Sequence, residues 1–164
     1  MSYIDPKQHS AEHILTAVFG QLFNGKIIDS RVKGTRVRCD FALENKLPLE
    51  EIIQKVETRT NAIISENRKV SFAEINFDEA KKIYSLHRLP VGIEKVRIVK
   101  IGDGVVTPCK GEHVKNTKEI GTIKIRTYNF INPTTIRLTF ALNNLLLPFL
   151  LVFTKWCGNA MVLV

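Results

Sequence analysis

Cysteine is scarce in this chain of 164 residues, which contains only Cys39, Cys109 and Cys157. A sparse and odd set argues against the disulfide framework of a small secreted protein and fits a reducing compartment. The N-terminal segment MSYIDPKQHS is polar and lacks the apolar core of a signal peptide. These two absences predict a cytoplasmic protein.

The sequence also lacks an apolar run long enough for a membrane, as well as internal repeats and low-complexity tracts. The apolar segment LLLPFLLVF at residues 145–153 is interrupted by Pro148. A helix that crosses a bilayer needs roughly 20 apolar residues, so we expect no membrane-spanning segment. We interpret residues 145–153 as buried or dimer-forming, which suggests a homodimer; insertion into a membrane surface is the weaker alternative.

What the chain does have is an apolar core and a basic charge balance. Hydrophobic residues make up 45% of the sequence, enough for a core without disulfides. The formal net charge is +8, which favours polyanionic partners such as nucleic acid. The length suits one compact domain with a small extension. We therefore expect one domain at residues 1–142 and an apolar C-terminal extension at residues 143–164.

Hydrophobic periodicity predicts three helices. The first begins at Asp5-Pro6, because proline suits the first turn of a helix, and ends at Asn24-Gly25. The second runs over about residues 48–67, and the third begins at Asp78. The second helix carries an apolar stripe formed by Ile52, Ile53, Val56, Thr60, Ile63 and Ile64.

Alternating side chains predict the strands. Residues 26–33 and 35–43 form a β-hairpin around Gly34, and residues 70–76, 95–101, 122–128 and 135–142 form further strands. Residues 87–92 and the polar stretch 108–121 should be loops. Helices mixed with antiparallel strands indicate the α+β class, with an antiparallel sheet and helices packed on one face of it.

Three of the four histidines fall in two short motifs of equal spacing. His9 and His13 are four residues apart on the first helix, so both project from one face. Cys109 and His113 repeat this spacing in a predicted loop, which Gly111 allows to curl until both side chains converge. Three nitrogens and one sulfur suit zinc. The four residues therefore predict a zinc site; the alternative is a metal-free site in which the histidines act as acid and base.

These motifs also carry a family resemblance. The segments HSAEHIL (residues 9–15) and PCKGEHVKNTKEIGTIKI (residues 108–125) resemble the editing domain shared by alanyl-tRNA and threonyl-tRNA synthetases, whose free-standing form is the alanyl-tRNA editing protein family. The second family motif is C-x-x-x-H-V-x-N-T-x-E-I-G, and residues 109–121 match every named position. The helix VETRTNAII (residues 56–64) and the strand before Asp103 also resemble the family. The resemblance covers roughly residues 9–140 and implies the small free-standing form.

The resemblance implies a trans-acting aminoacyl-tRNA hydrolase, an enzyme that cleaves the ester between a wrong amino acid and the tRNA 3′ end. The implied substrate is tRNA(Ala) carrying serine, with glycine as a second option. We expect His9, His13 and Glu12 at the catalytic centre. Zinc either lowers the pKa of a water molecule or orients the substrate. If all four side chains bind zinc, its tetrahedral shell is filled, and catalysis needs a labile ligand or a fifth position.

Residues around the second motif are candidates for contacts with the substrate. Asn116 and Thr117 are predicted to line the pocket that hydrogen-bonds the serine hydroxyl; ordinary turn chemistry is the alternative. Nearby basic residues are predicted to hold the tRNA acceptor end through its phosphates, namely Lys110, Lys115, Lys118, Lys124 and Arg126. A second basic group lies on the hairpin and comprises Arg31, Lys33, Arg36 and Arg38. For each of these side chains the alternative is a solvated basic face.

Glu12 departs from the family pattern, which more often has a small residue before the second histidine. With Glu12, residues 9–13 read H-x-x-E-H, the inverted zincin signature. One alternative function is therefore a zinc metallopeptidase with Glu12 as general base, although Cys109 and His113 would then have no role. Glu12 can instead be a carboxylate partner of a metal-bound imidazole. A third hypothesis is a non-catalytic, zinc-stabilised tRNA-binding module.

Overall fold

A computed structural model describes residues 5–44, 47–84, 86 and 92–143 of the protein. In these residues the helices are α1 (Pro6–Phe23), α2 (Leu49–Ser65) and α3 (Phe77–Ile83), with a short 3-10 helix at Thr117–Ile120. The strands are β1 (Lys26–Lys33), β2 (Arg36–Ala42), β3 (Val70–Asn76), β4 (Lys95–Ile101), β5 (Val105–Pro108), β6 (Thr122–Asn132) and β7 (Thr135–Asn143). The apolar extension, Cys157 and most of the predicted loop at residues 87–92 lie outside the described residues.

Helix α1 begins and ends where the sequence predicts. The side chain of Asp5 caps its N-terminus by accepting a hydrogen bond from the backbone N–H of Lys7 at 2.8 Å, and Pro6 opens the first turn. Asn24 ends the helix in a left-handed conformation, with φ of 52°. The Asp5 cap fixes the start of α1 only a few residues before His9, the first histidine of the helix.

Helix α2 confirms the predicted apolar stripe. Its buried residues are the six predicted ones, Ile52, Ile53, Val56, Thr60, Ile63 and Ile64. The helix starts after Pro48 with Glu50 and Glu51 in its first turn, where acidic side chains stabilise the helix dipole. Its inward face packs against α1 and β6.

The α+β class is confirmed, but the described strands form two antiparallel sheets where one was expected. The larger sheet has the order β1-β2-β7-β6, and the smaller sheet has the order β3-β4-β5. Strand β5 was not predicted, because four residues are too few to show an alternating pattern. It pairs with β4 across the predicted break at residues 102–104, with Ile101 opposite Val105.

One main core joins α1, α2 and both sheets. It contains Ile14, Leu15 and Phe19 of α1, together with Phe41 of the larger sheet and Ile101 of the smaller one. A second, smaller core lies between α3 and the opposite face of the smaller sheet, where Ala80, Val96 and Ile98 are buried. The main core therefore holds the first turns of α1 against the strands that lead into the second motif.

Strand β6 is longer than expected, reaching Asn132 where the alternation predicted an end at residue 128. Only Ile123 and Ile125 of this strand are buried, and the pairing with β7 shifts register between Ile125 and Thr127. Beyond the shift the residues of β6 are exposed, whereas Ile136 and Leu138 of the paired strand β7 are buried. None of the described helices is both long and apolar enough to cross a membrane.

Candidate metal centre

Helix α1 places the first two candidate ligands on one face. His9 and His13 are one turn apart, and their ring centroids are 4.7 Å from each other. Ser10, Ala11 and Ile14 between and beside them are fully buried. Because these neighbours are packed in the core, the helix backbone itself fixes the positions of both histidines.

The other two candidate ligands lie in a loop without regular secondary structure, here called the ligand loop (residues 109–113). It follows β5, and the backbone N–H of Cys109 donates to the carbonyl of Arg97 on β4 at 3.0 Å. The His113 ring lies 4.3 Å from the His9 ring and 4.9 Å from the His13 ring. The four predicted ligands thus come together, with one donor atom of each within 4.8 Å of all the others.

The outer ring nitrogen of each histidine contacts an oxygen atom. His9 Nδ1 lies 3.1 Å from the carbonyl oxygen of Glu112, His13 Nδ1 lies 3.4 Å from Oε2 of Glu12, and His113 Nδ1 lies 3.2 Å from the Ser10 hydroxyl. A carbonyl and a carboxylate only accept hydrogen bonds. The Ser10 hydroxyl already donates to the carbonyl of Pro6 at 2.8 Å and so accepts from His113. All three rings are therefore protonated at Nδ1, which leaves Nε2 as a lone-pair donor.

The inner nitrogens have the chemistry of metal ligands. Nε2 of His13 and Nε2 of His113 are buried and have no hydrogen-bond partner among the described residues. Nε2 of His9 lies 3.3 Å from Sγ of Cys109. Buried polar atoms are rarely left without a partner, and here they converge with a sulfur atom. The residues fit a metal ion, held by three imidazole nitrogens and one thiolate.

Burial keeps these imidazoles neutral. It lowers the pKa of His13 well below its usual value, and the neighbouring His9 and His113 lower it further. Burial also lowers the pKa of His113 to about 3, assisted by the charges of His9 and Arg97, and it lowers the pKa of His9. The thiol of Cys109 has a raised pKa for the same reason. Cys109 would have to lose its proton to serve as a thiolate ligand.

Glycine is the only residue type that fits at position 111 of the ligand loop. A Cβ atom at this position would lie 2.1 Å from Cε1 of His9. The backbone of the loop thus passes directly against a ligand of α1. The sequence predicts that glycine at position 111 lets the loop curl. The structure shows why glycine is needed there, namely the close contact between the loop backbone and the His9 ring.

Two residues that sequence reasoning missed support the ligand loop. Nη1 of Arg97 donates to the carbonyls of Lys110 at 3.0 Å and Gly111 at 2.9 Å, and its guanidinium stacks 4.0 Å from the ring centre of Phe72. Ser10 also accepts a hydrogen bond from the backbone N–H of Val114 at 3.2 Å. Arg97 therefore holds the start of the loop, and Ser10 holds its end.

Glu12 lies on the outer side of the cluster. Its carboxylate contacts Nδ1 of His13, the nitrogen that faces away from the other ligands, and accepts from the hydroxyl of Thr16 at 3.3 Å. This is the arrangement of a carboxylate that orients a metal-bound imidazole. A general base in a peptidase would have to face the metal instead.

The two predicted pocket residues make local contacts in the structure. Asn116 begins the 3-10 helix, and its backbone N–H donates to Oε1 of Glu119 at 2.8 Å. Thr117 is fully buried, and its hydroxyl contacts the carbonyl of Ile64 at 2.9 Å and accepts from the backbone N–H of Arg68 at the same distance. Thr117 thus anchors the segment after the ligand loop to the end of α2. A substrate contact for either residue stays a prediction.

The basic residues predicted around the second motif are spread over three elements. Lys110 and Lys115 flank the motif histidine, and Lys118 lies on the 3-10 helix; all three side chains are exposed. On β6, Lys124 pairs with Glu57 at 2.7 Å, and Arg126 donates to the side chain of Asn143 at 2.8 Å. Lys124 and Arg126 therefore belong to the larger sheet.

The hairpin brings the second basic group to the start of α1. Gln8 immediately precedes His9, and its Nε2 donates to the carbonyl of Gly34 in the hairpin turn at 3.1 Å. Lys33 and Arg36 flank this turn and are exposed. Arg31 and Arg38 instead share the carboxylate of Asp29, at 2.9 and 3.0 Å.

Comparison with known proteins identifies a family model and several proteins that are similar to this chain in sequence. Residues 96–139, which include the ligand loop, match the family model described as the threonyl and alanyl tRNA synthetase second additional domain. The chain is 33% identical over 129 residues to the alanyl-tRNA editing protein AlaX-L of Pyrococcus horikoshii, a match that covers 75% of this chain and 30% of that protein.

Alanine–tRNA ligases match a similar share of the chain. The enzyme of Hyperthermus butylicus is 33% identical over 124 residues, and that of Thermoanaerobacter sp. is 36% identical over 123 residues. Each match covers 73% of this chain but only 13% and 14% of the respective ligase. The chain thus spans less than a third of the length of the relatives that it matches.

Proposed function

This chain belongs to the family of the threonyl and alanyl tRNA synthetase second additional domain, and we propose that it is an aminoacyl-tRNA hydrolase that edits mischarged tRNA(Ala) in the cytoplasm. The substrate we propose is Ser-tRNA(Ala), and the bond cleaved is the ester at the tRNA 3′ end. The observation that carries this proposal is the convergence of His9, His13, Cys109 and His113 into one cluster of three imidazoles and a thiol.

Zinc is the ion that the donor set fits best. Three neutral imidazoles and one thiolate form a ligand set that is typical of zinc and unsuited to magnesium or calcium. When bound, zinc supplies a Lewis acid next to the ester. The protein supplies the orientation, because Glu112, Glu12 and Ser10 fix the three rings through their outer nitrogens.

The chain can bring polar groups to the serine hydroxyl and basic groups to the tRNA. An editing site that hydrogen-bonds the hydroxyl rejects alanine, because alanine leaves the polar partner unsatisfied. Asn116 and Thr117 are proposed for this pocket, Asn116 through its side chain and Thr117 as the buried anchor that holds this segment against the end of α2. Lys110, Lys115 and Lys118, with Lys33 and Arg36 of the hairpin turn, are proposed to contact phosphates near the 3′ end. Lys124 and Arg126 are proposed to contact tRNA farther from the ester.

The deciding experiment is a deacylation assay with purified, zinc-loaded protein. Ser-tRNA(Ala), Gly-tRNA(Ala) and Ala-tRNA(Ala) are offered at equal concentration, with and without a chelator. We expect rapid release of serine, slower release of glycine, little release of alanine, and loss of activity after zinc removal. No release of serine by the zinc-loaded protein would refute the proposal.

The same assay separates the alternative functions. Binding of tRNA without ester cleavage would favour a zinc-stabilised binding module. Cleavage of a peptide that Glu12→Gln abolishes would favour the metallopeptidase, although the contact between Glu12 and the outer nitrogen of His13 speaks against it. Loss of zinc together with loss of serine release in Cys109→Ala would tie both properties to the same site.

A further inference from the structure

An exposed aromatic ring lies beside the metal centre and has no part in the mechanism described so far. The Phe72 side chain is 50% exposed, and its ring centre is 6.3 Å from that of the candidate ligand His113. Single exposed apolar side chains are common on protein surfaces, but this ring lies directly beside the candidate ligands. Phe72 therefore needs an explanation of its own.

The exposure of Phe72 does not come from an outward-facing strand position. Phe72 lies opposite Val99 in the β3–β4 pairing, and directly paired residues point to the same face of a sheet. Val99 is fully buried in the main core, and Val70, two residues before Phe72, is also part of this core. The ring thus stands on the core-facing side of the smaller sheet, yet it is exposed and lies beside the ring of His113.

One face of the ring is already supported. The guanidinium of Arg97 stacks at 4.0 Å from the ring centre while its Nη1 holds the ligand loop. This ties the position of the ring to the position of Cys109 and His113. A flat ligand stacked on the exposed part of Phe72 would thus be held at a fixed place relative to the metal centre.

We propose that Phe72, backed by Arg97, is the stacking platform for the terminal adenine base of the tRNA. This inference rests on the proposed function, because every tRNA ends in an adenosine whose ribose carries the amino acid. Only that ribose separates the ester from the base, so a base-binding surface must lie next to the metal centre. Aromatic side chains bind unpaired bases by stacking, with little dependence on sequence.

The test uses a short acceptor-stem RNA whose terminal adenosine is replaced by 2-aminopurine riboside, with serine joined through an amide that is not cleaved. Fluorescence of 2-aminopurine falls when the base stacks. We expect quenching when the RNA binds zinc-loaded wild-type protein. In Phe72→Leu we expect the quenching to be lost and the Kd to rise by about tenfold, with zinc content unchanged. Phe72→Trp should retain both quenching and affinity.

Phe130 provides the matched control. It is 44% exposed, but it lies on β6 of the larger sheet, so Phe130→Leu should bind and quench like the wild type. Equal quenching in Phe72→Leu and wild type, or no binding of the probe, would overturn the platform.

Because the amide probe reports stacking without ester cleavage, the two proposals can fail separately. Quenching through Phe72 without serine release from Ser-tRNA(Ala) would refute the hydrolase and keep the platform. Serine release with the same KM in wild type and Phe72→Leu would refute the platform and keep the hydrolase.

Discussion

The two halves of the metal centre have the same spacing of ligands but different means of support. His9 and His13 lie on α1, where backbone hydrogen bonds, an N-terminal cap and buried neighbours fix both side chains. Cys109 and His113 lie in a loop that has no such ladder. The ligand loop is held from outside, by Arg97 at its start, Ser10 at its end and the close contact of Gly111 with His9.

This difference teaches where the site is vulnerable. A helix distributes the cost of one substitution over many hydrogen bonds, whereas a loop held by a few contacts loses its geometry when one of them is removed. We therefore expect substitution of the residues that support the ligand loop to lower metal affinity. Substitution of the residues that support α1 should lower mainly the free energy of unfolding.

The largest effect should come from removing a ligand from either half. In His13→Ala and in Cys109→Ala, we expect zinc to be lost and serine release to fall by at least about a hundredfold, because a ligand matters more than its outer partner. Zinc content and the deacylation rate are the measurements. Cys39→Ala is the control, since Cys39 is a buried cysteine of β2 outside the cluster. Full zinc content in either ligand variant would remove that half from the site.

The next effect compares two glycines. Gly111→Ala places a Cβ atom 2.1 Å from Cε1 of His9, so ring and loop must separate. We expect zinc affinity, measured by competition with a chelator, to fall by roughly 10- to 100-fold.

Gly20→Ala on α1 is the matched control. Its Cβ meets only the carbonyl oxygen of Gly25, at 3.7 Å, so zinc affinity should be unchanged. The free energy of unfolding should rise by about 0.5–1 kcal/mol, because alanine is the better helix former. Equal zinc affinities in Gly111→Ala and wild type would contradict the close fit of loop and helix.

Arg97→Lys should have a smaller effect on the ligand loop. Lysine keeps the positive charge but cannot reproduce the planar fork that reaches two carbonyls and stacks on Phe72. We expect a loss of zinc affinity of about tenfold and faster zinc release to a chelator. Arg59→Lys on the exposed side of α2 should bind zinc like the wild type. If Arg97→Lys does so too, the ligand loop holds its shape by itself.

The smallest effect on the site should come from the helix cap. Asp5→Ala removes the hydrogen bond from the Asp5 carboxylate to the N–H of Lys7, which should lower the free energy of unfolding by about 1 kcal/mol. Zinc affinity should change by less than it does in Arg97→Lys, because the buried residues of α1 still hold both histidines. Chemical denaturation and chelator competition measure the two quantities. A larger loss of affinity than in Arg97→Lys would reverse the comparison.

Sequence reasoning reached most of this architecture because the informative patterns are long. The stripe of α2 covers more than three turns, and β3 and β4 each alternate over seven residues. The convergence of the four candidate ligands was also predicted, since equal spacing and unusual residue types mark them. The division of the strands into two sheets was not, because it depends on pairings such as Asp40 with Arg137, which are 97 residues apart.

The supporting residues left no comparable signal. Arg97 occupies an ordinary polar position of an alternating strand, and its partners are backbone carbonyls, which every residue possesses. Phe72 shares a strand face with the buried Val70, so alternation alone assigns it to the core. Only the tertiary structure shows that the Phe72 ring is exposed beside His113.

The long separation between the two motifs also constrains when the site can form. His9 and Cys109 are 100 residues apart in the chain but in contact in the fold. A ribosome therefore delivers two histidines well before the cysteine and the third histidine that complete the set. A nascent chain that stops before residue 109 holds only two of the four candidate ligands, His9 and His13. Capture of a metal ion by all four side chains would therefore require that synthesis has passed the ligand loop, and it would be a late event in the maturation of this protein.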